Sequence, residues 1–285
     1  MNVKDATFQR TAVGIIWAWL ILLALIPNLL VFLTSLLEPG DNELVRLSFT
    51  FNSYLTLLSP IYFKIFIHSF YIAALCTLCC LILAYPFAYS LSRTPRYKAS
   101  LLLLVIIPFW TSSLIRAYAI VALLKAKGII NSLLISLGLI HTPLQLLYTN
   151  TAVLIGLVYN LLPFMILPLY ANLEKLDLRL IDAAKDLGAN RFTVLFKILI
   201  PLTLPGIIGG SILVFLPAMS MFFIPDLLGG AKTILVGNLI QNQFLSARNW
   251  PVGSAVSVAL TLIMTVLLFI YWRSSKNNKE GQTLL

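Results

Sequence analysis

The chain has 285 residues, 60% of them hydrophobic and 11% charged, whereas a soluble domain carries about a quarter charged residues. That balance excludes a water-soluble enzyme or binding module. A net charge of +10 suggests nucleic acid at first sight, but the basic residues sort by membrane side and form no aromatic-interleaved stripe, which makes nucleic-acid binding unnecessary as an explanation.

Uncharged runs lie at roughly 12–37, 66–91, 99–115, 151–171, 201–225 and 251–272, each near the roughly 20 residues with which a helix crosses about 30 Å of hydrocarbon. The chain therefore reads as an all-α membrane protein with six spanning helices. The first run contains Pro27 and two tryptophans and lacks a small-residue cleavage site, so it is expected to be a retained helix rather than a signal peptide. The 38–65 segment, with Asn52, Tyr54 and Leu55, should hold a short lateral helix. Cys76, Cys79 and Cys80 fall in the second run with no histidine or carboxylate at ligand spacing, so they read as packing residues, and no metal site is expected. The isolated His68 and His141 read as interfacial residues.

The third run could continue past Arg116 to Leu124. After it, Gly128, an amphipathic stretch from Ile129 to Leu139 and Pro143 predict a short interfacial or re-entrant helix, either a docking surface for an external partner or a plain connector. Pro86, Pro108, Pro163, Pro168, Pro205 and Pro217 interrupt the spans. Each removes a backbone donor, and in lipid the freed carbonyl must find a partner in protein or in a water-lined cavity, which suits a transport path. With the N-terminus inside, thirteen Lys and Arg fall on the inner side and six on the outer, Arg116 being the remaining one. This bias places both termini and the 172–200 loop in the cytoplasm. The chain reads as a single membrane domain over 1–285.

Within that loop Leu173, Leu176, Leu180, Ala184 and Leu187 recur every three or four residues, while Lys175, Asp177, Arg179, Asp182 and Asp186 lie largely away from them. An amphipathic helix is predicted, resting on something. Gly188 should cap it, Asn190 should open a second helix, and Pro201 and Pro205 should admit the chain to the fifth span. Asp182, Ala183, Ala184, Asp186 and Gly188, followed by Ile198, Ile200 and Pro201, form a pattern that resembles the E-A-A-x3-G-x9-I-x-L-P loop of ABC importer permeases, with Asp182 for the glutamate and Ile200 for the leucine. The chain has no G-x-x-x-x-G-K-[ST] loop for nucleotide phosphates, so it is not expected to hydrolyse ATP or to hold a cofactor.

The resemblance implies a type I ABC importer permease fold whose 172–200 loop forms the coupling helices. ATP and Mg would be bound by two copies of a separate ATPase, which receive that loop. It implies further a second permease chain, wrapped by the N-terminal helix, and a periplasmic binding protein, in a bacterial inner membrane. The segments Pro108 to Arg116, Leu162-Pro163-Phe164 and Pro225 to Gly230 resemble the spermidine/putrescine branch, in which two non-identical permeases pair as a heterodimer. Related importers carry sulfate, molybdate or iron.

A polyamine path needs aromatic faces and carboxylates. Trp110, Thr111, Tyr118, Tyr159, Asn160, Phe222, Phe223 and Asp226 are the candidates in spans three to five. A continuous helix from Pro201 would lift Asp226 by roughly 37 Å, to the outer mouth, where it either meets substrate or caps the Gly229-Gly230 turn. Counted the same way, Arg116 stands roughly 24 Å up the third span, where it either snorkels, pairs with Asp226 or binds an anionic substrate. A secondary transporter would need an intramembrane acidic or histidine relay, and an enzyme would need paired carboxylates or clustered ligands; neither pattern stands out.

Overall fold

The computed structural model describes residues 3–40, 44–177, 179–230 and 232–282. They form helices joined by short turns, with one small antiparallel strand pair. Among the described residues six helical stretches are long and apolar enough to cross a membrane: Arg10–Thr34, Pro60–Ser92, Ser113–Ser136, Asn150–Leu173, Arg191–Ser220 and Trp250–Tyr271. The chain divides into two compact units.

The first unit comprises 1–64 with Leu239–Ile263. Helices α1 (Val3–Leu20) and α2 (Ile26–Thr34) run on through one wide turn at Ile21–Leu25, and no described side chain of the Arg10–Thr34 span is buried. Strands β1 (Leu37–Glu38) and β2 (Arg46–Phe49) pair antiparallel, with Ser48 Oγ donating to Glu38 Oε2 at 2.6 Å. The strand pair was not expected from an all-α reading, because strands of two and four residues fall below the length at which alternation shows in sequence. Helix α3 (Asn52–Leu57) is the anticipated lateral helix, and Tyr54 OH meets Ser35 Oγ at 2.7 Å.

The second unit comprises Ile65–Asn238 with Met264–Leu285. Its centre is α8 (Asn150–Leu173), half of whose residues are buried, packed against α11 (Ile200–Ser220). Two glycines one turn apart permit the close approach: a Cβ at Gly206 would lie 2.8 Å from Asn172 Cβ, and one at Gly210 2.7 Å from Met165 Sδ. Helix α4 (Pro60–Ser92) enters this unit at Ile65 and buries Cys76 and Cys80 among its packing residues, with Cys80 Sγ 3.9 Å from the Val158 carbonyl.

The third apolar run, 99–115, does not form one spanning helix: the helical piece Lys98–Trp110 is short, and the stretch long enough to cross begins at Ser113. Helix α5 (Lys98–Ile106) tightens into one narrow turn at Ile107–Trp110, the backbone is extended at Thr111 and Ser112, and α6 (Ser113–Leu124) begins afresh. Pro108 has no amide proton for the ladder, and Thr111 Oγ1 donates back to the Pro108 carbonyl at 2.7 Å. Helix α7 (Ile129–Ser136) is the predicted short helix of the following loop. Its buried Asn131 donates to the Lys125 and Leu144 carbonyls and accepts from Leu144 N–H at 2.9 Å, so a single amide closes the loop.

Candidate functional site

Two regions of the second unit carry the residues singled out by sequence. The first is the 172–200 loop. Helix α8 ends at Leu173, a turn follows, and α9 (Arg179–Asp186) closes at Gly188, whose φ is +83°. Gly188 N–H donates to Lys185 O at 2.8 Å and Ala189 N–H to Ala184 O at 3.0 Å, the paired bonds of a glycine-terminated helix. Asn190 Oδ1 then accepts from Thr193 N–H at 2.8 Å and opens α10 (Arg191–Val194).

The buried face of α9 differs from the predicted stripe. Ile181, 4% exposed, packs with Val194 and Leu199 and with half-buried Tyr89, Leu176 and Ala184, whereas Leu180 is exposed and Leu187 is 89% exposed. The turn after Leu173 resets the helical phase, so one stripe from 173 to 187 does not form. Phe192, 74% exposed, and Phe196 join Leu187 as bare apolar side chains around the Gly188 turn. Asp182, Ala183 and Asp186 are exposed, and Asp182 sits 3.4 Å from Lys185. Ile198 is half-buried and Pro201 occupies the first turn of α11.

A second correction concerns the entry to the fifth span. The helix runs without interruption from Arg191 to Ser220, through one wide turn at Leu195–Leu199, so Pro201 lies inside the run. Proline is tolerated there because the first helical turn of α11 has a wide turn before it rather than a regular ladder. At the same end of the bundle Lys98 Nζ pairs with Glu174 Oε1 and lies 5.5 Å from the Tyr170 ring. The ammonium holds the Glu174 carboxyl below its usual range, and the carboxylate raises Lys98.

The second region surrounds the break in the third span. Arg116, on the first turn of α6, is 9% exposed. Its guanidinium carbon lies 5.2 Å from the Phe109 ring centre and 6.0 Å from that of Tyr159, and Phe109 stands edge-on to Phe164 at 5.2 Å. Arg116 Nε is buried without a hydrogen-bond acceptor. Asn160, next to Tyr159, donates to Gly156 O at 2.9 Å while its Oδ1 is buried without a donor. Trp110, 81% exposed, and Thr111 sit at the break itself; Tyr118 and Tyr159 are also exposed.

Helix α11 ends at Ser220 and the backbone turns extended at Met221, so the continuous helix expected up to residue 225 does not exist. Phe222 and Phe223 follow edge to face at 6.0 Å, and one wide turn at Pro225–Gly229 carries Asp226 in its first residues. That turn packs against α6, which brings the elements of Arg116 and Asp226 together. The two side chains nevertheless form no ion pair, and Asp226 does not cap the glycine turn. Its Oδ1 accepts instead from Asn238 Nδ2, which also donates to Phe222 O at 2.7 Å, while Asn238 Oδ1 accepts from Leu235 N–H at 3.2 Å. Sequence reasoning missed Asn238, a buried amide near the start of α12 (Val236–Leu245) that holds both the carboxylate and the break after α11. A lone asparagine within the apolar Ile234 to Ile240 stretch was the available signal.

Residues 78–276 match the family described as binding-protein-dependent transport system inner membrane component. The chain is 50% identical over 277 residues, 97% of each sequence, to the spermidine/putrescine transport system permease protein PotB of Haemophilus influenzae (strain ATCC 51907 / DSM 11121 / KW20 / Rd). It is 49% identical over 259 residues, 90% of this chain and 94% of the relative, to the protein of the same name from Escherichia coli (strain K12). A solved bacterial ABC transporter involved in the import of the acidic polysaccharide alginate contains a chain of the same fold, with a TM-score of 0.77 and 16% identity over 96% of this chain and 97% of that one.

Proposed function

Because the chain belongs to the binding-protein-dependent transport system inner membrane components, we propose that it is the permease subunit of an ATP-driven importer for the polyamines spermidine and putrescine. The observation that carries this reading is identity near one half, sustained over almost the whole length, to permeases whose names state that transport. The site chemistry is compatible with it. Exposed aromatic faces at Trp110, Tyr118, Tyr159 and Phe222 offer contact to both ammonium groups and methylenes, and Asp226 offers a carboxylate held by Asn238.

In this reading both termini and the 172–200 loop are cytoplasmic, as the distribution of Lys and Arg favours. The whole chain works as one permease body. Asp182, Ala183, Ala184, Asp186, Gly188, Ile198 and Pro201 belong to the arm that receives a separate ATPase, and bare Leu187, Phe192 and Phe196 supply its apolar contact. ATP and Mg are held by that ATPase, two copies per complex. The Arg191–Ser220 helix carries displacement of the arm straight into the fifth span, next to α8, since no loop intervenes to absorb it. A periplasmic binding protein delivers substrate to the mouth near Asp226, and a second permease completes the path.

Uptake of labelled spermidine and putrescine into proteoliposomes tests this, with the full importer and with its ATPase omitted. ATP-dependent uptake of either polyamine supports the assignment. Uptake of sulfate or molybdate without polyamine uptake replaces it.

A further inference from the structure

We propose that Arg116 is a tethered cation that occupies the aromatic site of the path in competition with the substrate's ammonium groups, and so keeps polyamine weakly held there. The inference rests on the polyamine reading and concerns how that path avoids trapping its cargo. Arg116 is nine-tenths buried in a span, its Nε has no acceptor, and among the described residues no carboxylate pairs with it. The adjacent candidate, Asp226, is held by Asn238. A purely structural arginine in this setting would be expected to find an anion, because an unpaired charge away from water is strongly disfavoured. What Arg116 has instead is two aromatic rings, Phe109 at 5.2 Å and Tyr159 at 6.0 Å.

Those faces are the surfaces that attract a substrate ammonium. With the guanidinium in place an arriving amine meets a like charge and occupied rings, and either sharing the site or displacing the side chain weakens its binding. Weak binding is the useful outcome in a path: tight binding of the ground state deepens a trap without speeding passage.

The test uses the complete complex of both permeases and the ATPase. Spermidine affinity is measured in nanodiscs without binding protein, and uptake is measured in proteoliposomes with it. Arg116→Met and Arg116→Gln should bind spermidine about three- to tenfold more tightly, the range that one returned cation–π contact supplies. Their maximal uptake rate should be lower, because the more tightly held substrate leaves the path more slowly. Arg116→Lys keeps the charge and should stay close to wild type. Unchanged or weaker spermidine binding in an assembled neutral variant overturns the proposal. So does assembly of Arg116→Lys alone, which would make the charge structural. If the wild-type importer takes up neither polyamine, the functional assignment itself is wrong, and that is seen before any variant is compared.

Discussion

Asp226 and Asn238 stand twelve positions apart and act as one unit, with the amide donating to the carboxylate and to the Phe222 carbonyl. Asp226→Asn removes one charge with little change of shape. It should raise KM for polyamine uptake by about fivefold, the effect of losing an ion pair worth about 1 kcal/mol. Assembly and basal ATPase should stay as in wild type; an unchanged KM would remove Asp226 from the path. Asn238→Leu should act through structure as well, because it leaves the buried Leu235 N–H without its acceptor, at about 1–3 kcal/mol, and removes one of the two donors to the Phe222 carbonyl. Its signature is a lower assembled amount together with the raised KM. At this scale the sequence is legible where an interaction is local. The left-handed Gly188 and the Asn190 cap follow from neighbours within five residues. The Asp226–Asn238 contact joins residues on either side of Gly230, whose φ is +46°, and no spacing rule announces it.

Gly188 ends α9 in open space, with no atom within 4 Å of where a Cβ would lie, so a larger residue suffers from backbone strain alone. Gly188→Val should cost on the order of 1 kcal/mol or more at the turn and tilt the bare Leu187 and Phe192 away from their partner. The expected phenotype is an assembled complex with substrate-stimulated ATPase and uptake both lost; normal transport would remove the loop from coupling. The Lys98–Glu174 tie should leave the pH profile of uptake flat near neutrality. Glu174 is lowered, so its contribution is present above its unfolded pKa and is lost as pH falls through its folded value, in the acid range. Lys98 is raised, so its contribution is lost only as pH rises through an alkaline folded value. A difference between wild type and Glu174→Gln that grows between about pH 6 and 8 would contradict this assignment. Among the elements, long apolar runs revealed the spans except the third, where the 99–115 run meets the Ser113–Ser136 stretch only at its end, and they revealed neither the break at Thr111–Ser112 nor the unbroken Arg191–Ser220 helix. Proline marks both places, and only the surrounding packing decides whether it interrupts the helix.

Across the whole molecule the acidic residues are distributed in a way that bears on assembly. Asp226 is the sole acidic residue between Asp186 and Glu280, and none lies between Glu43 and Glu174. Spermidine carries about three positive charges near neutral pH, because its amines titrate well above 7, as lysine does. In the proposed polyamine path Asp226 alone would leave two ammonium groups unbalanced, and Arg116 adds a further positive charge. In a passage of low dielectric an unpaired charge costs several kcal/mol, which aromatic contacts of about 1–2 kcal/mol each offset only in part. A second identical chain would add one more Asp226 but also a second buried arginine. If the path carries polyamine as proposed, this balance favours a different permease chain as partner, and the first span, with no described side chain buried, leaves its apolar surface free for lipid or for such a partner. This protein expressed with the ATPase and binding protein alone should give no uptake, whereas adding the partner should restore it. The partner should carry at least one Asp or Glu in its spanning helices, and neutralising that residue should reduce spermidine uptake more than putrescine uptake, since spermidine has one more charge to balance. Transport by a homodimer, or a partner without an acidic residue facing the path, would overturn this account of how the charges are balanced.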